Sequence, residues 1–140
     1  MWAKEILSGL DYLHSQNPPV MHRDLKPDNI FVMSHSGGIR IGDFGLSTVL
    51  RNSLNKTFLG TPEYMAPEIF DVNYGTAVDI YSFGMCLTEI CTQKPPYYEF
   101  DNLGSVCKAI MDRTEPVSFT IIQDPEVKEF ISLCLLNEAN

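Results

Sequence analysis

The sequence predicts an α+β domain in which helices predominate and one small β-hairpin supplies the strands. Three observations carry this expectation. Apolar residues recur at helical spacing in four separate stretches. Two short runs, Ile30-Phe31-Val32 and Ile39-Arg40-Ile41, flank the turn-forming Ser34-His35-Ser36-Gly37-Gly38. Between the hairpin and the long central helix, residues 43–75 follow neither period and carry repeated Gly and Pro, the mark of a long ordered loop with a functional role.

Taken in order, Trp2, Ile6, Leu10 and Leu13 predict an amphipathic helix over 2–16, stopped by Asn17-Pro18-Pro19. Residues 76–92 are apolar around most of the helical circumference, which predicts a buried central helix ended by Lys94-Pro95-Pro96. Leu103, Val106, Cys107, Ile110 and Met111 mark a further helix capped by Asp101. Asp124-Pro125 starts a last helix whose inner face is Val127, Phe130, Ile131 and Cys134.

A chain of 140 residues can bury a single core, and 44% hydrophobic with 20% charged residues is ordinary for a globular protein. The net charge is −8 and there is no basic run, which argues against nucleic acid or an anionic membrane as partner. Cys86, Cys91, Cys107 and Cys134 lie among apolar residues without C-x-x-C spacing, so four buried free thiols in a reducing compartment are expected. The N-terminus lacks the pattern of a signal peptide, and no apolar run reaches membrane-spanning length. The chain reads as cytosolic or nuclear, with cytoplasmic the location expected.

Three motifs stand in order: His22-Arg23-Asp24-Leu25-Lys26-Pro27-Asp28-Asn29, then Asp43-Phe44-Gly45, then Gly60-Thr61-Pro62-Glu63-Tyr64-Met65-Ala66-Pro67-Glu68. Each alone is short enough to recur by chance. In this order they resemble the catalytic loop, the metal-binding turn and the end of the activation segment of a protein kinase. The resemblance implies a kinase C-terminal lobe, with the hairpin at the catalytic loop, and ATP and Mg²⁺ as cofactors.

Phosphoryl transfer needs positioning, metal ions and a group that accepts the hydroxyl proton. A lone Asp is ordinarily a turn residue or a cap, but His22-Arg23 before Asp24 and Asn29 five residues after it remove most of that reading. The resemblance makes Asp24 the base and Asn29 and Asp43 the metal ligands, with oxygen donors that suit a hard cation. It makes Lys26 a contact to the transferred phosphate and a marker of serine/threonine specificity. Thr61 would bond Asp24 and Lys26 and seat the substrate hydroxyl. Arg23 would pair with a phosphorylated activation-segment residue, with Thr57 the first candidate and Ser53 and Ser47 weaker ones. Asp79 would hold the backbone of the catalytic loop; its plainer role is a carboxylate favoured in a helix's first turn.

The finer pattern is similar to the with-no-lysine (WNK) kinases. It rests on Asp28-Asn29-Ile30-Phe31, Ile41-Gly42-Asp43, Phe83-Gly84-Met85-Cys86-Leu87, Pro116-Val117-Ser118-Phe119 and Pro125-Glu126-Val127-Lys128-Glu129. Animal members carry Leu where this chain has Phe44. That leucine belongs to their chloride-sensing pocket, so the resemblance does not extend chloride inhibition to this chain. Glu68 pairs in the family with an Arg, and no Arg follows Arg113 here, so an unpaired Glu68 is expected.

No Gly-rich strand pair, ATP-binding Lys or helix C Glu precedes the first motif. Residues 1–140 therefore read as a partial kinase domain, truncated at both ends. The longer protein is expected to phosphorylate Ser and Thr of protein substrates, with activation by an upstream kinase or by trans-autophosphorylation. The competing reading is a non-catalytic kinase-like remnant that binds a protein partner.

Overall fold

Helix α2 (Ala77–Thr92) organises the molecule. Phe83 and Cys86 are fully buried, with Val78 and Met85 close to it, as expected for a helix apolar on most sides. The computed structural model describes residues 2–49, 60–70 and 74–136. The buried hydroxyls of α2 turn back on the helix: Ser82 Oγ lies 3.0 Å from Val78 O, and Thr88 Oγ1 donates to Gly84 O at 3.0 Å. The helix ends at Gln93, which takes a left-handed conformation and donates its N–H to Glu89 O. By then Ile90 and Cys91 have emerged from the core and are exposed.

Helix α1 (Trp2–His14) buries Ile6 and Leu10 and leaves Trp2 exposed. It is two residues shorter than the expected 2–16, because Gln16 N bonds Leu13 O as the chain approaches Pro18. The expected hairpin is present. Strands β2 (Ile30–Val32) and β3 (Ile39–Ile41) pair antiparallel, with Ile30 opposite Ile41 and Val32 opposite Ile39; a second pair, β1 (Val20–Met21) with β4 (Thr48–Val49), was not expected. Strand β3 is seated on α1, where Glu5 Oε2 accepts from Ile39 N at 2.8 Å. A Cβ on Gly9 would stand 3.0 Å from Ile41 Cδ1, so the helix and strand touch backbone to side chain.

The described residues of 43–75 are not all irregular loop. They contain 3-10 turns at Phe44–Leu46, Pro62–Tyr64 and Pro67–Phe70, together with β4. Helix α3 (Leu103–Met111) is capped by Asn102, whose Oδ1 accepts from Ser105 N at 2.9 Å, rather than by Asp101. A one-turn helix, α4 (Val117–Thr120), was not expected. Helix α5 (Pro125–Cys134) starts where Asp124-Pro125 predicts, with Asp124 Oδ1 accepting from Glu126 N and Val127 N.

Helix α5 packs on α2 through Gly84, where a Cβ would stand 2.9 Å from both Cys134 Cβ and Leu135 Cδ2. Ile131 and Cys134 are buried, but Phe130 is 41% exposed and meets Phe83 only edge-on. The cysteines also depart from expectation: Cys86 and Cys134 are buried, Cys107 is half-buried and Cys91 is exposed. Burial pushes the Cys86 thiol far above its ordinary value and raises Cys134 as well. No described helix is long and apolar enough to cross a membrane.

Candidate active site

The site begins with a buried carboxylate. Asp79, in the first turn of α2, is fully buried. Its Oδ2 accepts from His22 N at 2.8 Å and its Oδ1 from Arg23 N at 2.9 Å. His14 Nε2 also lies 2.8 Å from Oδ2. A dry carboxylate is tolerated only when such bonds replace water. The two peptide bonds hold the loop where Arg23 has φ +70°, a left-handed conformation that a non-glycine residue keeps only under constraint. Asp24 follows immediately.

Asp24 meets the segment that starts at Gly60. Its Oδ1 accepts from Thr61 N at 3.0 Å and from Thr61 Oγ1 at 2.9 Å. Lys26 Nζ donates to Thr61 Oγ1 at 2.9 Å and stands 3.6 Å from Asp24 Oδ2. The approach requires glycine at position 60. There φ is +126°, and a Cβ would lie 2.7 Å from the Arg23 carbonyl oxygen.

The 3-10 turn at Pro27–Asn29 folds Asn29 back under the loop. Asn29 Nδ2 donates to Asp24 O at 2.7 Å and to Asp24 Oδ2 at 3.3 Å. Its amide nitrogen is thus committed to Asp24, and Oδ1 is the atom left to face a cation. Asn29 also accepts from Gly42 N at 2.9 Å through its own carbonyl, and His22 Nε2 lies 2.9 Å from Gly42 O. These bonds set the residue before Asp43 against the loop of residues 22–29.

Asp43 itself is exposed and left-handed, with φ +58°, and its Oδ1 accepts from Gly45 N at 3.2 Å. A carboxylate and an amide oxygen are hard donors that fit Mg²⁺. Among the described residues no three His, Cys, Asp or Glu side chains form a metal cluster. An ion held by these two oxygens would take its other ligands from phosphates and water.

Two further residues tie the Thr61 segment to α2, and both escaped the sequence reading. Tyr64 Oη hydrogen-bonds Glu89, and Ser82 Oγ donates to Tyr64 O at 2.8 Å. Burial first, and then the Glu89 bond, push the Tyr64 phenol far above its ordinary range. Their partners lie 25 and 18 residues apart, beyond any local pattern. Glu68 is buried on the Pro67–Phe70 turn and interacts within the chain, so it is not the unpaired carboxylate expected. Ser47 Oγ donates to His22 O at 3.4 Å. Thr57 and Ser53 lie outside the described residues.

Helical packing around a buried central helix, a small hairpin and this loop define the C-terminal lobe of a protein kinase. The protein kinase domain model matches residues 1–140, and the chain belongs to that family. The family is one that uses ATP and Mg²⁺. Over about 96% of its length the chain is closely related to plant and animal WNK kinases. It is 51% identical over 135 residues to the serine/threonine-protein kinase WNK8 of Arabidopsis thaliana, covering 96% of this chain and 24% of that protein. It is 46% identical over 134 residues to WNK3 of Mus musculus, covering 96% and 8%. With WNK4 of Homo sapiens the identity is 45% over 139 residues, covering 99% and 11%. The chain thus spans a quarter or less of the length of these relatives.

Proposed function

We propose that residues 1–140 form the catalytic-loop part of a serine/threonine protein kinase domain, and that the longer protein transfers the terminal phosphate of ATP to protein Ser or Thr hydroxyls. The observation that carries this reading is the bonded set Asp24, Thr61 and Lys26. One carboxylate oxygen is held by the Thr61 N–H and hydroxyl, and a lysine bridges the two side chains.

Asp24 orients the incoming hydroxyl and accepts its proton as the new P–O bond forms and the bond from the terminal phosphorus to the bridging oxygen breaks, releasing ADP. Lys26, 3.6 Å from Asp24 Oδ2, offsets negative charge on the moving phosphoryl group. Thr61 fixes the Asp24 carboxylate and the entry of the peptide. Asn29 Oδ1 and the Asp43 carboxylate would hold the metal, which when bound neutralises the phosphates. Arg23, buried beside the base, would receive a phosphate on Thr57, with Ser53 second, loaded by an upstream kinase or in trans. The proposed location is cytoplasmic.

The test uses the longer protein with ATP, Mg²⁺ and a generic protein substrate. Label on Ser and Thr, lost in Asp24→Asn, is the expected result. Label on Tyr alone, or turnover unaffected by Asp24→Asn, rejects the reading. The 140-residue chain by itself is expected to transfer no phosphate.

A further inference from the structure

We infer that Glu99 is a positioning residue for the Thr61 segment, acting through α3. Its carboxylate, together with the Tyr97 phenol, closes the base of the excursion that carries that helix. Tyr97 Oη donates to Thr114 O at 3.0 Å, and Glu99 Oε1 accepts from Val117 N at 2.9 Å. Two residues that lead into α3 thus hold two that leave it, across 17 and 18 positions. A carboxylate at the first N–H of a helix ordinarily serves that helix alone. That explanation does not account for Tyr97, which makes a parallel tie and bonds no helix start.

The chain is bent to bring the ties together. Tyr97 has φ +61° and Arg113 has φ +54°, left-handed conformations that non-glycine residues keep only under constraint. At Arg113 the turn is locked to α3, since Arg113 N bonds Ile110 O and Thr114 N bonds Ala109 O, both at 2.9 Å. The carboxylate is itself held at a cost. Glu99 Oε2 and Ser118 Oγ, on the residue after Val117, are buried and have no hydrogen-bond partner among the described residues. Few such groups persist in native proteins, and these persist because the bond to Val117 fixes the carboxylate there.

Between the ties, α3 turns one face inward. Val106, Ala109 and Ile110 are buried in the core that also holds Tyr64 and Ala66. The helix packs on the 3-10 turns Pro62–Tyr64 and Pro67–Phe70, which continue the segment from Thr61. Tyr64 N in turn bonds Thr61 O at 3.1 Å. With the base released, α3 would loosen from these turns and Thr61 from Asp24. The positioning role rests on the reading of Asp24 and Thr61 as parts of the phosphoryl-transfer site; the closure of the base does not.

The test is amide exchange on the ¹⁵N-labelled 140-residue chain. It involves no phosphoryl transfer, so failure of the kinase reading would leave its signals unchanged. Glu99→Ala removes the acceptor, and Glu99→Gln keeps a carbonyl oxygen at the same reach. In the Ala variant, exchange at Val117, Asp112 and Thr61 should quicken at least about tenfold beyond any change at Met85 in α2, the measure of global opening. The Gln variant should recover most of that protection at all three amides.

Quickening at Val117 alone marks a simple helix cap and overturns the inference. Equal quickening at Met85, or none at any of these amides, overturns it as well. Tyr97→Phe cuts the other tie and leaves Glu99 in place. It should quicken exchange at Asp112 and Thr61 too, and unchanged protection there overturns the inference even if the Ala variant fails to fold.

Discussion

Asp24 and Asp43 are the two carboxylates on which the proposed chemistry depends, and the fold treats them differently. Asp24 is held by Thr61 and Asn29, while its loop is held by Asp79. Its position is a tertiary product of three segments distant in sequence: its own loop, the Thr61 segment and α2. Asp43 is exposed, and the bond to its carboxylate comes from Gly45 in the same turn. The proposed proton acceptor is thus set by the core of this chain, whereas the carboxylate proposed for the metal sits on a local turn at the surface. Damage to the core should therefore reach Asp24, and changes at Asp43 should leave the fold alone.

Four substitutions test that contrast. The largest effect is expected for Asp24→Asn in the longer protein, a fall in turnover on the order of 10²–10⁴ measured by phosphate transfer. Asp79→Ala comes next. It removes the acceptor of two buried N–H groups, each worth about 1–3 kcal/mol, so urea denaturation of the chain should show a loss of about 2–6 kcal/mol. Gly60→Ala forces a Cβ against the Arg23 carbonyl. It should cost about 1–3 kcal/mol in the same experiment and shift the Thr61 amide resonance. Asp43→Ala gives up the exposed bond to Gly45 N and puts Ala at a left-handed position, so it should cost about 1 kcal/mol, less than Asp79→Ala, while the longer protein loses MgATP-dependent activity. A denaturation midpoint for Asp43→Ala that falls as far as that of Asp79→Ala would break the contrast.

The hairpin and the start of α5 were legible because both rest on local rules: two β-branched runs around a Gly-Gly turn, and an Asp-Pro helix start. The buried face of α2 was legible because its apolar residues outnumber any single stripe. Strands β1 and β4 were not, since two residues cannot display a period. Asp101 and Asn102 are both good caps, and only the backbone decides between them; Asn102 takes the extended conformation with φ −147°. Phe130 belongs to the apolar stripe of α5, but periodicity gives a face and not the neighbour that covers it. At the site, the motif residues were legible from the order of three short patterns. His14, Ser82 and Glu89 were not, because each lies outside those patterns and acts on a partner at least 18 residues away.

The uneven burial of the cysteines gives the chain an internal gauge of its own opening. Cys91 lies on the surface at the end of α2, while Cys86, little more than one turn earlier, is 0% exposed and its thiol is held protonated by burial. Thiolate is the reactive form, so Cys86 and Cys134 react with an alkylating reagent only when the packing of α2 against α5 comes apart. The number of thiols labelled per molecule then counts open chains directly. Where reclosing outpaces labelling, the slow phase reports the opening equilibrium, and where labelling is faster it reports the opening rate. One helix thus carries both the reference thiol and the reporter, with no added probe.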